Sequence, residues 1–212
     1  MTHIARPPAT THRTSLVPAW LFALTTLLSV AVALVSYRYL GAAPEIPEQI
    51  GANRFVSPWL VVHAGSAATA LLLGPTQFSR KLRARRAALH RWMGRVYVLG
   101  CMAGGVSGLV LAAGASTGIP TVMGFGSLAL AWLGSTGLAW YRAVHGDIGE
   151  HRAWMVRSFA LTLAAVTLRV YLAILGIFEL PFITGYQAIS FLCWMPNLML
   201  AEWLIRRRRA RA

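Results

Sequence analysis

Six apolar stretches follow one another along this 212-residue chain, with only short polar breaks between them. Each is long enough to cross a hydrocarbon core about 30 Å thick, which takes about 20 residues of helix. No other feature constrains the fold as strongly, because inside lipid every backbone N–H and C=O must be satisfied within the protein. The spans are expected at about 17–39, 57–79, 92–113, 121–142, 153–177 and 184–205. Composition agrees: 57% of residues are hydrophobic and 12% are charged, about half the charged fraction of a soluble domain. Mean hydropathy is +0.57. The expected fold is all-α, a polytopic membrane protein built as a six-transmembrane-helix bundle. The membrane domain covers about 17–205, between an N-terminal tail (1–16) and a basic tail (206–212). The first stretch follows a basic leader, as a signal peptide would, but it exceeds the usual h-region of about 7–15 residues and is read as a retained helix.

Charge orients the bundle. Net charge is +14, with 20 Lys+Arg against 6 Asp+Glu. Nucleic acid would be the default partner of so basic a soluble chain. Positive charge confined to short loops between apolar spans instead writes membrane topology, and nucleic acid is not expected as a partner. With the N-terminus inside, 17 of the 20 basic residues fall on the inner side. Outside are only Arg38 and Arg54, and Arg169 is left within a span. The positive-inside rule then gives N-in and C-in, with both termini cytoplasmic. The external loop at about 40–57 is expected to cover the outer mouth.

A basic-aromatic cluster occurs twice at the inner boundary, as "ALHRWMGRVY" (88–97) and "GEHRAWMVRSF" (149–159). Trp92 and Trp154 stand where aromatic belts stand, and Arg91, Arg95, Arg152 and Arg157 are expected to reach anionic head groups. The two histidines, His90 and His151, are not explained by anchoring. His151, Ser158, Thr162, Ala165 and Arg169 form one stripe of the fifth span, with Arg169 about 27 Å above His151. His63, Ser66, Ala70, Gly74 and Gln77 make a second stripe, and His90, Tyr97, Cys101, Gly104 and Gly108 a third. Gly100, Gly104 and Gly108 have the small-xxx-small spacing of close helix packing, or else make room for a flat ligand. Cys101 and Cys193 lie in apolar runs and read as packing residues.

Arg169 is the most informative single position. An arginine near the centre of a span costs about 2.5–3.5 kcal/mol. No acid lies at its depth, so its partner is expected to be backbone carbonyls, water or a bound anion. His63 falls at a similar height, about 25 Å above the inner side, and the two are candidates to share a pocket. In "CWMPNLMLAEW" (193–203), Pro196 is expected to kink the sixth span. Asn197 either caps that kink or lines a ligand site, and Glu202 is expected to pair with inner arginines. "HGDIGEH" (145–151) reads as a loop with a polar helix start; its spacing fits no strong metal motif, and no metal site is expected.

"HAGSAATALLLGPTQF" (63–78), "HRWMGRVY" (90–97), "HRAWMVRSFALTLAAVTLRVYL" (151–172) and "WMPNLMLAEW" (194–203) resemble a bacterial membrane family catalogued as domain of unknown function 2306. The resemblance implies a multi-helix inner-membrane protein and singles out His63, Gln77, His90, Arg95, His151, Arg157, Arg169 and Asn197. It implies no activity. The chain is also similar, more loosely, to transmembrane b-type cytochromes, which hold haem between histidines on neighbouring helices. That similarity implies one bis-histidine site at most, from His90 and His151, with His145 as a substitute.

These readings leave three functions open. The first is redox: one b-type haem or a quinone held by His90 and His151, with Arg169 neutralising a carboxylate or semiquinone. The second is a small transporter or a handler of lipid or anionic ligands, with Arg169 and His63 gripping the anion. The third is a non-catalytic assembly or sensory partner in the membrane. His90, His151, His63 and Arg169 are the candidate cofactor or ligand contacts. Gln77, Tyr97 and Asn197 are candidates to line the pocket. The lipid bilayer, with anionic head groups at the cytoplasmic face, is the expected partner. No soluble-enzyme constellation is present: no Gly-rich phosphate loop, no HExxH and no paired carboxylates.

Overall fold

The computed structural model describes residues 17–41 and 48–211, apart from the side chain of Gln49. The expected N-terminal tail (1–16), positions 42–47 of the expected external loop and Ala212 lie outside the described residues. Among the described residues every regular element is helical. Six helices are long and apolar enough to cross a membrane: Ala19–Leu40, Val56–Phe78, Ala87–Ala113, Ile119–Val144, Ile148–Ile177 and Phe182–Arg209, called spans one to six.

All six expected spans are present, and the boundaries differ most at the arginine-rich end. Span three begins at Ala87 and span five at Ile148, and span six runs on to Arg209. Hydropathy marks where the apolar medium begins, whereas arginine is a good helix former and lets the helix continue past that point. Local caps set the true starts. The Asp147 side chain accepts from the Glu150 N–H at 3.2 Å at the head of span five. Ser79 caps a short helix, Arg80–Arg85, that joins spans two and three.

Span three packs against spans two and four, and span four also packs against span five. Span one leans on span two through a face of small residues, Ser29, Ala33 and Ser36. Its end is tied down by a 2.9 Å hydrogen bond between the Tyr37 and Thr69 hydroxyls. Large apolar side chains such as Leu27, Leu99 and Met199 face outward. On a water-soluble protein so broad an apolar surface would drive aggregation, whereas in lipid it is the solvated face.

The glycine series of span three serves close packing. A Cβ at Gly100 would stand 2.9 Å from the Ser66 carbonyl oxygen of span two. One at Gly104 would meet the Trp132 ring at 3.0 Å, and one at Gly108 the His63 ring at 3.3 Å. The face that had left open room for a flat ligand is filled by the protein itself.

Spans five and six are each interrupted. Span five divides at Leu163 into Ile148–Thr162 and Ala164–Ile177, and span six divides at Cys193 and Trp194 into Phe182–Leu192 and Met195–Arg209. The expected kink at Pro196 is therefore present, one turn after the carbonyl that the missing proline N–H cannot serve. The two breaks are bonded to each other. Asn197 Nδ2 donates to the Cys193 carbonyl at 3.1 Å and to Thr167 Oγ1 at 2.9 Å. The Thr167 hydroxyl in turn reaches the Leu163 carbonyl at 3.2 Å.

Because Gly100 meets a backbone atom that cannot swing aside, Gly100→Ala is expected to cost about 1–3 kcal/mol. Gly134→Ala, where nothing lies within 4 Å of the new Cβ, is expected to be neutral or stabilising through helix propensity. Thermal unfolding of both variants in the same detergent checks this; equal midpoints would show that the glycine contact does not set the packing distance.

Candidate functional site

At the centre of the bundle the stripes of spans three and five meet. Tyr97 is fully buried, and its hydroxyl lies 2.8 Å from Ser158 Oγ and 3.1 Å from Thr162 Oγ1. Span four adds two groups that the sequence reading did not single out. The Thr136 hydroxyl meets Ser158 Oγ at 2.7 Å, and Trp132 Nε1 donates to Thr162 Oγ1 at 3.0 Å. Cys101 lies beside them with no exposed surface. A hydroxyl can both donate and accept a hydrogen bond, so three helices are joined by a chain of hydrogen bonds that needs no water. A sequence signal for the span-four pair exists. Ala129, Trp132, Thr136 and Ala139 recur at three- and four-residue steps and are all buried. They are neither charged nor imidazole, so a search for titratable groups passes over them.

Below this cluster, at the arginine-rich end, lie His90 and His151. His151 Nδ1 is 2.9 Å from the Ala139 carbonyl of span four, which leaves Nε2 as the nitrogen not engaged in that bond. His90 Nδ1 is buried with no hydrogen-bond partner among the described residues. The two imidazoles are within electrostatic range of each other, with Arg83 and Arg91 also near His90, but no hydrogen bond joins them. His145, the expected substitute, bonds back to the Tyr141 carbonyl at 2.8 Å. Among the described residues no three His, Cys, Asp or Glu side chains gather as metal ligands would.

Arg157 had been expected at the head groups, but the structure turns it inward. Its Nε and Nη2 hold the two carboxylate oxygens of Glu202 at 2.5 and 3.1 Å, and its guanidinium stacks on Trp154 at 4.3 Å. The bidentate fork is why an arginine suits this place. Arg209 and Glu150 form a second pair and Arg142 and Asp147 a third, at 3.2 Å. Arg83, between the spans, is pushed below the ordinary guanidinium range by partial burial and then by its neighbours Arg152, Arg80 and Arg208. It donates to the Gln77 carbonyl at 3.0 Å. The Gln77 side chain is buried beside Gly94, where its amide oxygen would be 3.1 Å from an added Cβ. Asn197 spends its amide on the two helix breaks.

Toward the opposite end stand His63 and Arg169. His63 Nδ1 is 2.8 Å from the Gly104 carbonyl. Arg169 Nη1 donates to the Ala165 carbonyl at 2.8 Å, and Nη2 to Ser36 Oγ of span one at 2.7 Å. The Arg169 charge acts on His63, yet no hydrogen bond links them. Of the three partners that the sequence left open for Arg169, a backbone carbonyl is the one in place, joined by a hydroxyl that the sequence reading had not marked. Two of five guanidinium N–H groups are thus used, and among the described residues no carboxylate answers the charge. Arg38 and the Tyr39 ring complete the electrostatic surroundings.

Residues 60–205, more than half of the chain, match the family model described as Predicted membrane protein (DUF2306). No curated protein and no solved structure matches the chain.

The central cluster generates a test. Tyr97→Phe leaves the Ser158 and Thr162 hydroxyls without their shared partner and is expected to cost about 1–3 kcal/mol. Thr136→Val, at the edge of the chain, should cost less, because Ser158 keeps Tyr97. Unfolding of the two variants in detergent orders them; the reverse order would remove Tyr97 as the hub.

Proposed function

The chain belongs to the family described as Predicted membrane protein (DUF2306), and since that description assigns no activity we propose its function from the site alone. We infer an integral membrane protein that binds an anionic amphiphile at Arg169, with the arginine-rich end of the bundle cytoplasmic and the bacterial inner membrane as its location. The observation that carries this reading is the unneutralised cation. Arg169 sits within an apolar span, holds one carbonyl and one hydroxyl, and has no acidic partner among the described residues. A charge kept in such a medium at a cost of about 2.5–3.5 kcal/mol is most simply repaid by a ligand of opposite sign. Arg38 nearby makes the same region attractive to an anion.

A redox reading has one observation in its favour. The Ala139 carbonyl at His151 Nδ1 is the kind of second partner that orients an imidazole toward iron or a quinone oxygen. His90 lacks that acceptor, and the glycine face of span three holds no room for a ring. An absorption spectrum of protein expressed with ample haem separates the two. A Soret band lost in His151→Ala would establish a haem site, and a protein with no band at any haem supply would remove it.

For the anion reading, oleate is expected to raise the unfolding midpoint of the purified protein while oleyl alcohol does not. At a hundred times its Kd a ligand adds about 2.7 kcal/mol. Arg169→Gln should abolish the response and Arg169→Lys should keep part of it. An equal response to oleate and oleyl alcohol, or an undiminished one in Arg169→Gln, would overturn the proposal.

A further inference from the structure

A groove of about 620 Å³ runs between spans three and four on the outward face of the bundle, toward the arginine-rich end. Arg95, Val98, Leu99 and Met102 form one wall, and Gly137 and Trp140 the other. Val98, Leu99 and Met102 lie three, four and seven positions on from Arg95 and so make a single stripe with it along the helix, rising about 10 Å from Arg95 to Met102. The lining is almost wholly apolar except for the guanidinium at its lower end. Leu99 is 69% exposed and Trp140 42%, so the groove opens to the surrounding medium and not to the bundle interior.

Two features shape it together. Arg95 has no ion pair, hydrogen bond or ring contact with any described residue, whereas Arg142, Arg157 and Arg209 at the same end are each paired with an acid. And Gly137 leaves the opposite wall open: nothing lies within 4 Å of a Cβ built there. A cation at the lower end of an apolar trough is complementary to one kind of molecule, an anionic head followed by a hydrocarbon chain.

We propose that this groove is a binding site for one anionic phospholipid, its phosphate on Arg95 and an acyl chain along Val98, Leu99 and Met102 past Gly137. The guanidinium offers a planar fork of N–H donors to phosphate oxygens. Trp140 closes the side at the depth where tryptophan sits at membrane interfaces. Gly137 serves the site by what it lacks, since any larger side chain would stand where the acyl chain lies. The site does not rest on the Arg169 reading: it lies on the outward face, is built by different spans and is read by a different probe.

The test is native mass spectrometry of the full-length protein in a mild detergent, titrated with dioleoylphosphatidylglycerol and, separately, with dioleoylphosphatidylethanolamine. The wild type is expected to hold one phosphatidylglycerol about tenfold more tightly than phosphatidylethanolamine, the worth of a charge-assisted contact. Arg95→Gln should erase that preference, and Gly137→Leu should reduce the adduct of either lipid. Gly126→Leu, on the same span and equally free of neighbours at its Cβ, should change nothing. Arg95 is exposed and unpaired, so Arg95→Gln keeps the test decisive even if Gly137→Leu fails to fold. Identical adducts in wild type and Arg95→Gln would reduce the groove to ordinary annular contact. A dimer that Gly137→Leu dissociates would assign it to a second copy of the chain, and either result overturns the proposal.

Discussion

No water is on hand inside a bilayer to rescue a stray hydroxyl, and the centre of this bundle is arranged around that shortage. Tyr97, Ser158, Thr162, Thr136 and Trp132 bring four hydroxyls and an indole N–H into a space with almost no exposed surface. They bond one another at 2.7 to 3.1 Å, and the Thr162 hydroxyl also donates to the Ser158 carbonyl at 2.9 Å. Moving any one of spans three, four or five strands a polar group that the surroundings cannot repay. Apolar contact alone selects no register in lipid, because lipid tails are as apolar as leucine. The hydroxyl cluster supplies the register, and the glycines of span three allow the approach that brings its members into reach.

Much of this was legible in the sequence. Length and hydropathy mark six spans because the thickness of the hydrocarbon core is a fixed ruler. The periodicity of polar residues on spans three and five marks the two stripes that do face each other, Tyr97 and Cys101 against Ser158 and Thr162. What was not legible is choice of neighbour. Ser36 is one of many span-one serines and threonines until span five is known to pass beside it and offer Arg169. Arg157 reads as a head-group anchor because its own helix carries no acid within reach. Only the fold brings Glu202 from span six to 2.5 Å. Thr136 and Trp132 were passed over for a different reason, since neutral hydroxyl and indole groups look like ordinary span residues until their partners are seen.

The arginines show how one side chain takes different parts according to what the fold places opposite it. Arg157 has a carboxylate for its fork and an indole for its face, so its charge is answered. Arg169 has a carbonyl and a serine hydroxyl, which satisfy two donors without neutralising the charge. The first arrangement locks spans five and six together. The second keeps a positive potential in a medium that screens it poorly, and that contrast is the reason for placing an anion at one and not at the other.

The interruptions of spans five and six also bear on how the bundle can move. A helix break ordinarily gives a joint, since the freed carbonyls accept a change of angle with little loss. Here Thr167 bonds the break of span five, Asn197 bonds the break of span six, and the two side chains bond each other. Bending either helix at its break pulls Thr167 away from Asn197, in a medium offering no substitute for that bond. The two joints are therefore tied at one point, and a change of angle at either is felt by the other through that bond.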